Sequence, residues 1–394
     1  MTSTVSNTSA SPSNSSSASI NKTDERIWFL DVLRGLAAIT VMYAHLGIAF
    51  WISNAEVSRL AFTKPLGQNF HLFFDQPLIW LQALNINLSQ LAVAVFFLIS
   101  GFVMPMTLSS KSRLGFLAAR VFRLYPTYLL TLPLTCAVIY AYCVYQQHPF
   151  PYTSQVIFAN CSLFRDLLWL PSIDGANWTL EIEIKFYLCC ALLGAALITR
   201  ARAILATAVV LSALSFWSTV EFHHLLTSNI KLYELKYVML MDCPRLIFML
   251  IGSVICNYWR KLWGYKKALA VAGILLAAFL ITAHWALLSS PAEKPTISTY
   301  LFALVIFVCS YFGRSRFPRW KQLAFLSNIS YPLYLIHGVN GYILLTVFYP
   351  YLPVPWLDNV VVFSILIGAA WLIHRFIEIP SHKFGQRLGT KLSQ

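Results

Sequence analysis

Apolar stretches of about twenty residues recur along this chain of 394 residues, and each ends in a short polar turn. A helix crosses the hydrocarbon core with roughly 17–25 predominantly apolar residues. Ten stretches meet that description, near 32–51, 89–107, 126–145, 178–198, 203–220, 237–257, 268–288, 297–312, 325–348 and 359–377. The stretch 153–170 is interrupted by Asn160, Arg165 and Asp166, so it is expected to lie at the outer interface rather than to span. Ahead of the first span, residues 1–25 are dominated by Ser, Thr and Asn, too polar to build a core, and read as a disordered tail. The pattern therefore predicts an all-α, polytopic integral membrane protein with about ten transmembrane helices. One membrane domain is expected over 26–388, with a short tail over 389–394.

Composition agrees with this reading. Hydrophobic residues make up 58% of the chain and charged residues only 11%, against roughly 25% charged in soluble proteins. The net charge of +14 raises the question of nucleic acid, but a nucleic-acid binder gathers its Lys and Arg on one solvated face or tail. Here they sit in the turns between apolar runs, so no nucleic-acid partner is expected. Counted by side, 21 of the basic residues (among them Arg120, Arg123, Arg260, Lys261, Arg314 and Arg387) fall on the side of the N-terminus, and six (Arg59, Lys64, Arg165, Lys231, Lys236 and Lys294) on the other. By the positive-inside rule both termini are cytoplasmic. The eight cysteines lie mostly inside apolar runs without metal-ligand spacing, which favours small buried hydrophobes over a metal site.

A few ionisable residues remain inside the spans, where burial is costly unless they are partnered or functional. Arg34 and His45 are eleven positions apart in the first span, three helical turns plus roughly 20°, so they share a face with an axial separation of about 16 Å. His45 is a candidate base or nucleophile; the alternative is a His neutralised by a neighbouring helix. Arg120 and Arg123 share a face at the cytoplasmic boundary and suit a phosphate-bearing ligand, although topology alone also accounts for arginines there. Glu181 and Lys185 stand at i,i+4 and are expected to pair. Glu183, about 200° round the same helix from Glu181, needs another partner and is free to orient a histidine or accept a proton, or else to bond a neighbouring helix. His337 reads first as part of a packed aromatic face. Asp242 and Arg245 flank Pro244 and are expected to form an intramembrane pair or to serve folding.

Taken in order, five segments resemble the acyltransferase type 3 family of membrane-bound acyltransferases, over about residues 26–388. They are Leu30-Asp-Val-Leu-Arg-Gly-Leu36 with His45, Val95-Phe-Phe-Leu-Ile-Ser-Gly-Phe102, Arg120-Val-Phe-Arg123, Trp178-Thr-Leu-Glu-Ile-Glu183, and the closing pair Ser330-Tyr-Pro-Leu-Tyr-Leu-Ile-His337 and Arg375-Phe-Ile-Glu-Ile-Pro380. The chain departs from the family pattern in having Glu181 where Ser is common and Ile184 where a second Glu is common. The resemblance implies an enzyme that moves an acyl group, most simply acetyl, from cytoplasmic acyl-CoA to a hydroxyl of an envelope carbohydrate or lipid-linked glycan on the outer side of a bacterial inner membrane. It implies His45 and Glu183 as catalytic residues and Arg34, Arg120 and Arg123 as the site for the donor's phosphates. Asp31, Trp178, Glu181, Arg245 and His337 are further candidates. Acyl-CoA is expected as a substrate rather than a resident cofactor. The competing class is a proton-coupled transporter, which also uses intramembrane His, Glu and Arg, but no internal repeat of the kind such transporters show is visible.

Overall fold

The computed structural model describes residues 27–66, 80–81, 83–220, 222–289 and 297–394. The tail expected over 1–25 lies outside the described residues. Within them the chain is all-helical, with no strands. The elements that carry the argument are α1 (Trp28–Ile52), α2 (Asn54–Ala61), α3 (Leu88–Leu108), α4 (Arg113–Tyr145), α5 (Ser154–Ser162), α6 (Trp178–Leu193), α7 (Ala201–Thr219), α8 (Ile230–Trp259), α9 (Tyr265–Ser289), α10 (Ile297–Phe312), α11 (Lys321–Ile336), α12 (Val339–Phe348) and α13 (Pro355–Lys391). Several begin on a side-chain cap: Asn87 accepts from the Gln90 amide at 3.0 Å, Ser112 from Gly115 at 3.1 Å and Asn229 from Leu232 at 3.2 Å. Each cap satisfies one of the donors a helix start leaves unpaired.

All ten apolar stretches fold as helix, but they are not ten equal spans. Among the described residues seven helices are long and apolar enough to cross a membrane, and eight if one bent pair is a single span. α6 and α10 have 16 residues each, or about 24 Å at 1.5 Å per residue, short of a hydrocarbon core of about 30 Å. The stretch expected as one span over 325–348 is broken: α11 and α12 meet at 79°. The break falls at His337 and Gly338, and a side chain on another segment holds it. The Asp174 carboxylate accepts the Val339 amide at 3.3 Å, which places a negative group at the start of α12. A Cβ on Gly338 would lie 2.3 Å from Asp174 Oδ1, so only glycine admits the carboxylate there. Burial pushes the Asp174 carboxyl up to about 6, against the opposing pull of the Ala176 and Val339 amides.

Burial separates centre from rim. α8 has 89% of its most apolar window buried and α3 has 72%, whereas α7, α9 and α13 have 28%, 33% and 22%. α3 and α8 approach so closely that a Cβ on Gly101 would fall 1.8 Å from the Met249 carbonyl, and one on Gly252 2.3 Å from that of Leu98. Small residues at a crossing are how membrane helices gain packing energy when lipid supplies no hydrophobic drive between them. α1 packs against α3 and α11, and the last turns of α13 run along the first turns of α4. α13 continues past residue 388, and beyond its end Ser112 bonds the Leu392 carbonyl at 2.8 Å.

Two local features differ from a simple reading of the spans. α4 begins at Arg113, so Arg120 and Arg123 lie two to three turns inside a 33-residue helix rather than in a loop. The first span passes through a π-helical stretch, Tyr43–Ala49, that contains His45. A wider turn there shifts every side chain after Met42 away from the even 100° step, and such insertions cluster at functional sites.

Candidate functional site

Five helices, α1, α3, α4, α6 and α11, enclose a narrow slot of about 90 Å³. It is lined by Arg34, Arg120 and Arg123, by Glu183, and by Ser100, Tyr187, Tyr331 and Tyr334. Three guanidinium groups therefore face one carboxylate. Glu183 is held through a single oxygen: Ser100 Oγ donates to Oε1 at 2.6 Å and the Tyr187 hydroxyl donates to the same atom. Arg120 is buried, donates to Thr107 Oγ1 at 2.8 Å, and stacks over Tyr187 and Phe116 with its Cζ 5.0 and 5.6 Å from the ring centres. Arg123 has no hydrogen-bond partner among the described residues and is partly exposed to the slot. Arg34 stands 3.7 Å from Asp31, which itself accepts from Ser327 at 3.0 Å and so ties α1 to α11.

His45 does not meet Glu183. Its Nδ1 lies 3.0 Å from Nε2 of His337, and the two ring planes are within 11° of each other with centres 5.1 Å apart, so the rings meet edge to edge. The expectation that a carboxylate orients His45 is corrected here: the partner is a second histidine, brought in by the break between α11 and α12. The partners fix the tautomers of two neutral rings. His337 Nδ1 is 2.7 Å from the Tyr334 carbonyl, which only accepts, so Nδ1 carries the proton and Nε2 keeps its lone pair. His45 Nδ1 must then donate to it, and the lone pair of His45 remains on Nε2. His337 is fully buried, while His45 keeps some exposure. A free lone pair thus sits on the more accessible ring and its support on the inaccessible one.

The acidic and basic residues near the start of α6 pair differently from their sequence spacing. Glu181 takes a bidentate bond from Arg165, at 2.7 and 2.8 Å, rather than pairing with Lys185. Lys185 bridges Asp166 and Asp242, so Asp242 is not the partner of Arg245. Arg245 instead donates to the Met241 carbonyl and lies over the Trp178 ring at 4.9 Å. The reason is that 153–177 folds inward: Asn160, buried, bonds the Val156 and Pro171 carbonyls at 2.8 and 3.0 Å. The loop is thereby pinned with Arg165 and Asp166 against α6.

The structure thus gathers Arg34, Arg120, Arg123 and Glu183 at one slot, and His45 with His337 at another point. Asp31 supports Arg34, and Trp178, Glu181 and Arg245 lie on the other side of α6. Sequence reasoning missed Ser100, Tyr187, Arg165 and Asp174. Ser100 is inside the Val95–Phe102 segment, and Tyr187 is one turn beyond Glu183, so i,i+4 spacing was available as a signal for the latter. Nothing in the sequence pointed to Asp174.

Residues 27–375 match a protein-family model described as an acyltransferase domain. No curated protein and no solved structure matches the chain.

Proposed function

The chain belongs to the acyltransferase type 3 family, and from that premise we propose that it moves an acyl group, most simply acetyl, from cytoplasmic acyl-CoA to a hydroxyl of an envelope carbohydrate on the outer side of the membrane. The observation that carries the mechanism is the bond from His45 to His337, which leaves the His45 Nε2 lone pair facing away from its partner. In the transfer His45 takes the proton of the acceptor hydroxyl as the oxygen attacks the thioester carbonyl. The C–S bond breaks, and the departing CoA thiolate recovers that proton. The same lone pair can attack the thioester directly, breaking the C–S bond and expelling the CoA thiolate, to form an acyl-imidazole that the acceptor hydroxyl then resolves; rapid quench and intact-mass measurement would trap it.

The donor's anionic end is assigned to the arginine slot. Charge-assisted phosphate contacts favour a site where guanidinium groups outnumber carboxylates. At about 90 Å³ the slot is too small for a nucleotide, so the phosphates meet the arginines at its cytoplasmic mouth and only the thin pantetheine arm points inward. Arg123, which lacks a competing hydrogen bond among the described residues, is the principal contact. Arg120 is largely committed to Thr107 and Tyr187, so it shapes the slot. Glu183 balances part of the positive charge and holds Ser100 and Tyr187 in place.

The test uses purified protein in proteoliposomes given acyl-labelled acyl-CoA, with mass spectrometry of cell-envelope glycans from cells with and without the protein. A gained acyl mass that depends on the protein and is lost in His45→Gln is expected. Full turnover in a folded His45→Gln protein would remove His45 from the chemistry.

A further inference from the structure

On the other side of α6 from the slot lies a second cavity of about 1270 Å³, larger than the 300–1,000 Å³ usual for small-ligand sites. The helix divides the two by its faces. Thr179, Leu180 and Glu183 line the slot, while Trp178, Glu181 and Ile182 line the cavity. The partition is thin: Phe97, on the slot side, meets Trp178 edge to face with ring centres 6.3 Å apart.

The charges on the cavity side cancel. Arg165 is bound to Glu181, Lys185 is bound to Asp166 and Asp242, and Arg245 adds a third cation. Among the described residues that is three cations against three carboxylates. An ionic ligand finds no net complement there, whereas a neutral polyhydroxy ligand meets many fixed donors and acceptors. One donor is open: Arg245 lines the cavity, and among the described residues only its Nη1 makes a hydrogen bond, to the Met241 carbonyl, which leaves Nη2 for a ligand. The rim supplies an aromatic surface. Trp169 is 40% exposed and meets Tyr237 edge to face at 5.1 Å. Its backbone is left-handed at φ 51°, a conformation that bulky residues rarely hold without a constraint. Here the Trp169 amide bonds the Asp166 carbonyl at 3.1 Å, in the loop that carries the ion pairs.

We propose that this cavity is the acceptor site for the part of the glycan away from its reacting hydroxyl, since neither His45 nor His337 lines it, and that it selects an uncharged oligosaccharide, which seats on Trp169 and is hydrogen-bonded by Arg245. Its naming as acceptor site rests on the acyltransferase reading; sugar binding itself does not. The experiment is calorimetric titration of the full-length protein in nanodiscs, without acyl-CoA. The probes are neutral tetrasaccharides of glucose, galactose or N-acetylglucosamine, and a galacturonate tetramer of equal length. A neutral probe should bind and galacturonate should not. Trp169→Ala should weaken binding about tenfold, the loss of one aromatic contact, and Trp169→Phe should restore most of it. Asp166→Asn, which leaves one cation unbalanced, should raise affinity for galacturonate. The proposal is overturned if no neutral probe binds, if galacturonate binds the parent as tightly, or if Trp169→Ala binds like the parent at an unchanged melting temperature. Neutral-sugar binding without any acyl transfer would keep this site and remove the acyltransferase mechanism. Acyl transfer to a neutral glycan that is indifferent to Trp169→Ala would do the reverse.

Discussion

Replacing His337 tests the tautomer argument directly. In His337→Phe an aromatic ring still fills the place beside His45, but the acceptor of the 3.0 Å bond is lost. The His45 Nδ1–H is then left without a partner, at a cost of about 1–3 kcal/mol for a buried donor. His45 relieves that cost by turning its ring or moving its proton to Nε2, and either change removes the lone pair from the position required for proton transfer. At about 1.4 kcal/mol per factor of ten, kcat should fall by about 5- to 150-fold. The KM for acyl-CoA should not move, because the arginine slot lies elsewhere. His337→Gln, whose amide oxygen accepts a hydrogen bond, should recover part of the loss. The assay is steady-state acyl transfer in proteoliposomes with donor binding measured in parallel. Wild-type kcat in His337→Phe, or a loss carried wholly by the KM for the donor, would refute the reasoning.

Arg123→Ala should weaken acyl-CoA binding by about tenfold or more, a charge-assisted contact being worth about 1.5–3 kcal/mol, without lowering the melting temperature. Arg120→Ala should lower both, because it also empties the contact between Thr107 and Tyr187. Glu181→Gln, which removes the charge paired with the half-buried Arg165 guanidinium, should destabilise the protein by about 1–3 kcal/mol, seen as a lower thermal midpoint in detergent, whereas Glu183→Gln should reduce turnover with a smaller loss of stability. Cysteine labelling should find residues 261–266 accessible from the cytoplasm and 55–65 from outside; labelling of the C-terminus from outside would refute the sidedness read from the basic residues.

The helical class and the positions of the apolar segments were legible in the sequence, because a span is set by local length and hydropathy. The same holds for the assignment of Glu181 and Glu183 to different surfaces. A separation of about 200° on one helix is a local property, and the two residues do line different cavities. The family was legible too, through short motifs whose order survives in one dimension. Pairing was not. Glu181 with Arg165, Lys185 with Asp166 and Asp242, and His45 with His337 each join segments whose distance along the chain says nothing of their distance in space. An i,i+4 rule describes the partner a helix offers itself. In a membrane interior, where an unpaired charge is costly, the better partner wins wherever the fold brings it. The break at Gly338 was hidden for the same reason: the apolar run through 325–348 looks continuous, and it bends because Asp174, more than 160 residues away in the chain, caps the second half. That bend sets His337 against His45, so the apolar pattern determined where the helices lie, and only tertiary packing decided which histidine nitrogen is left free.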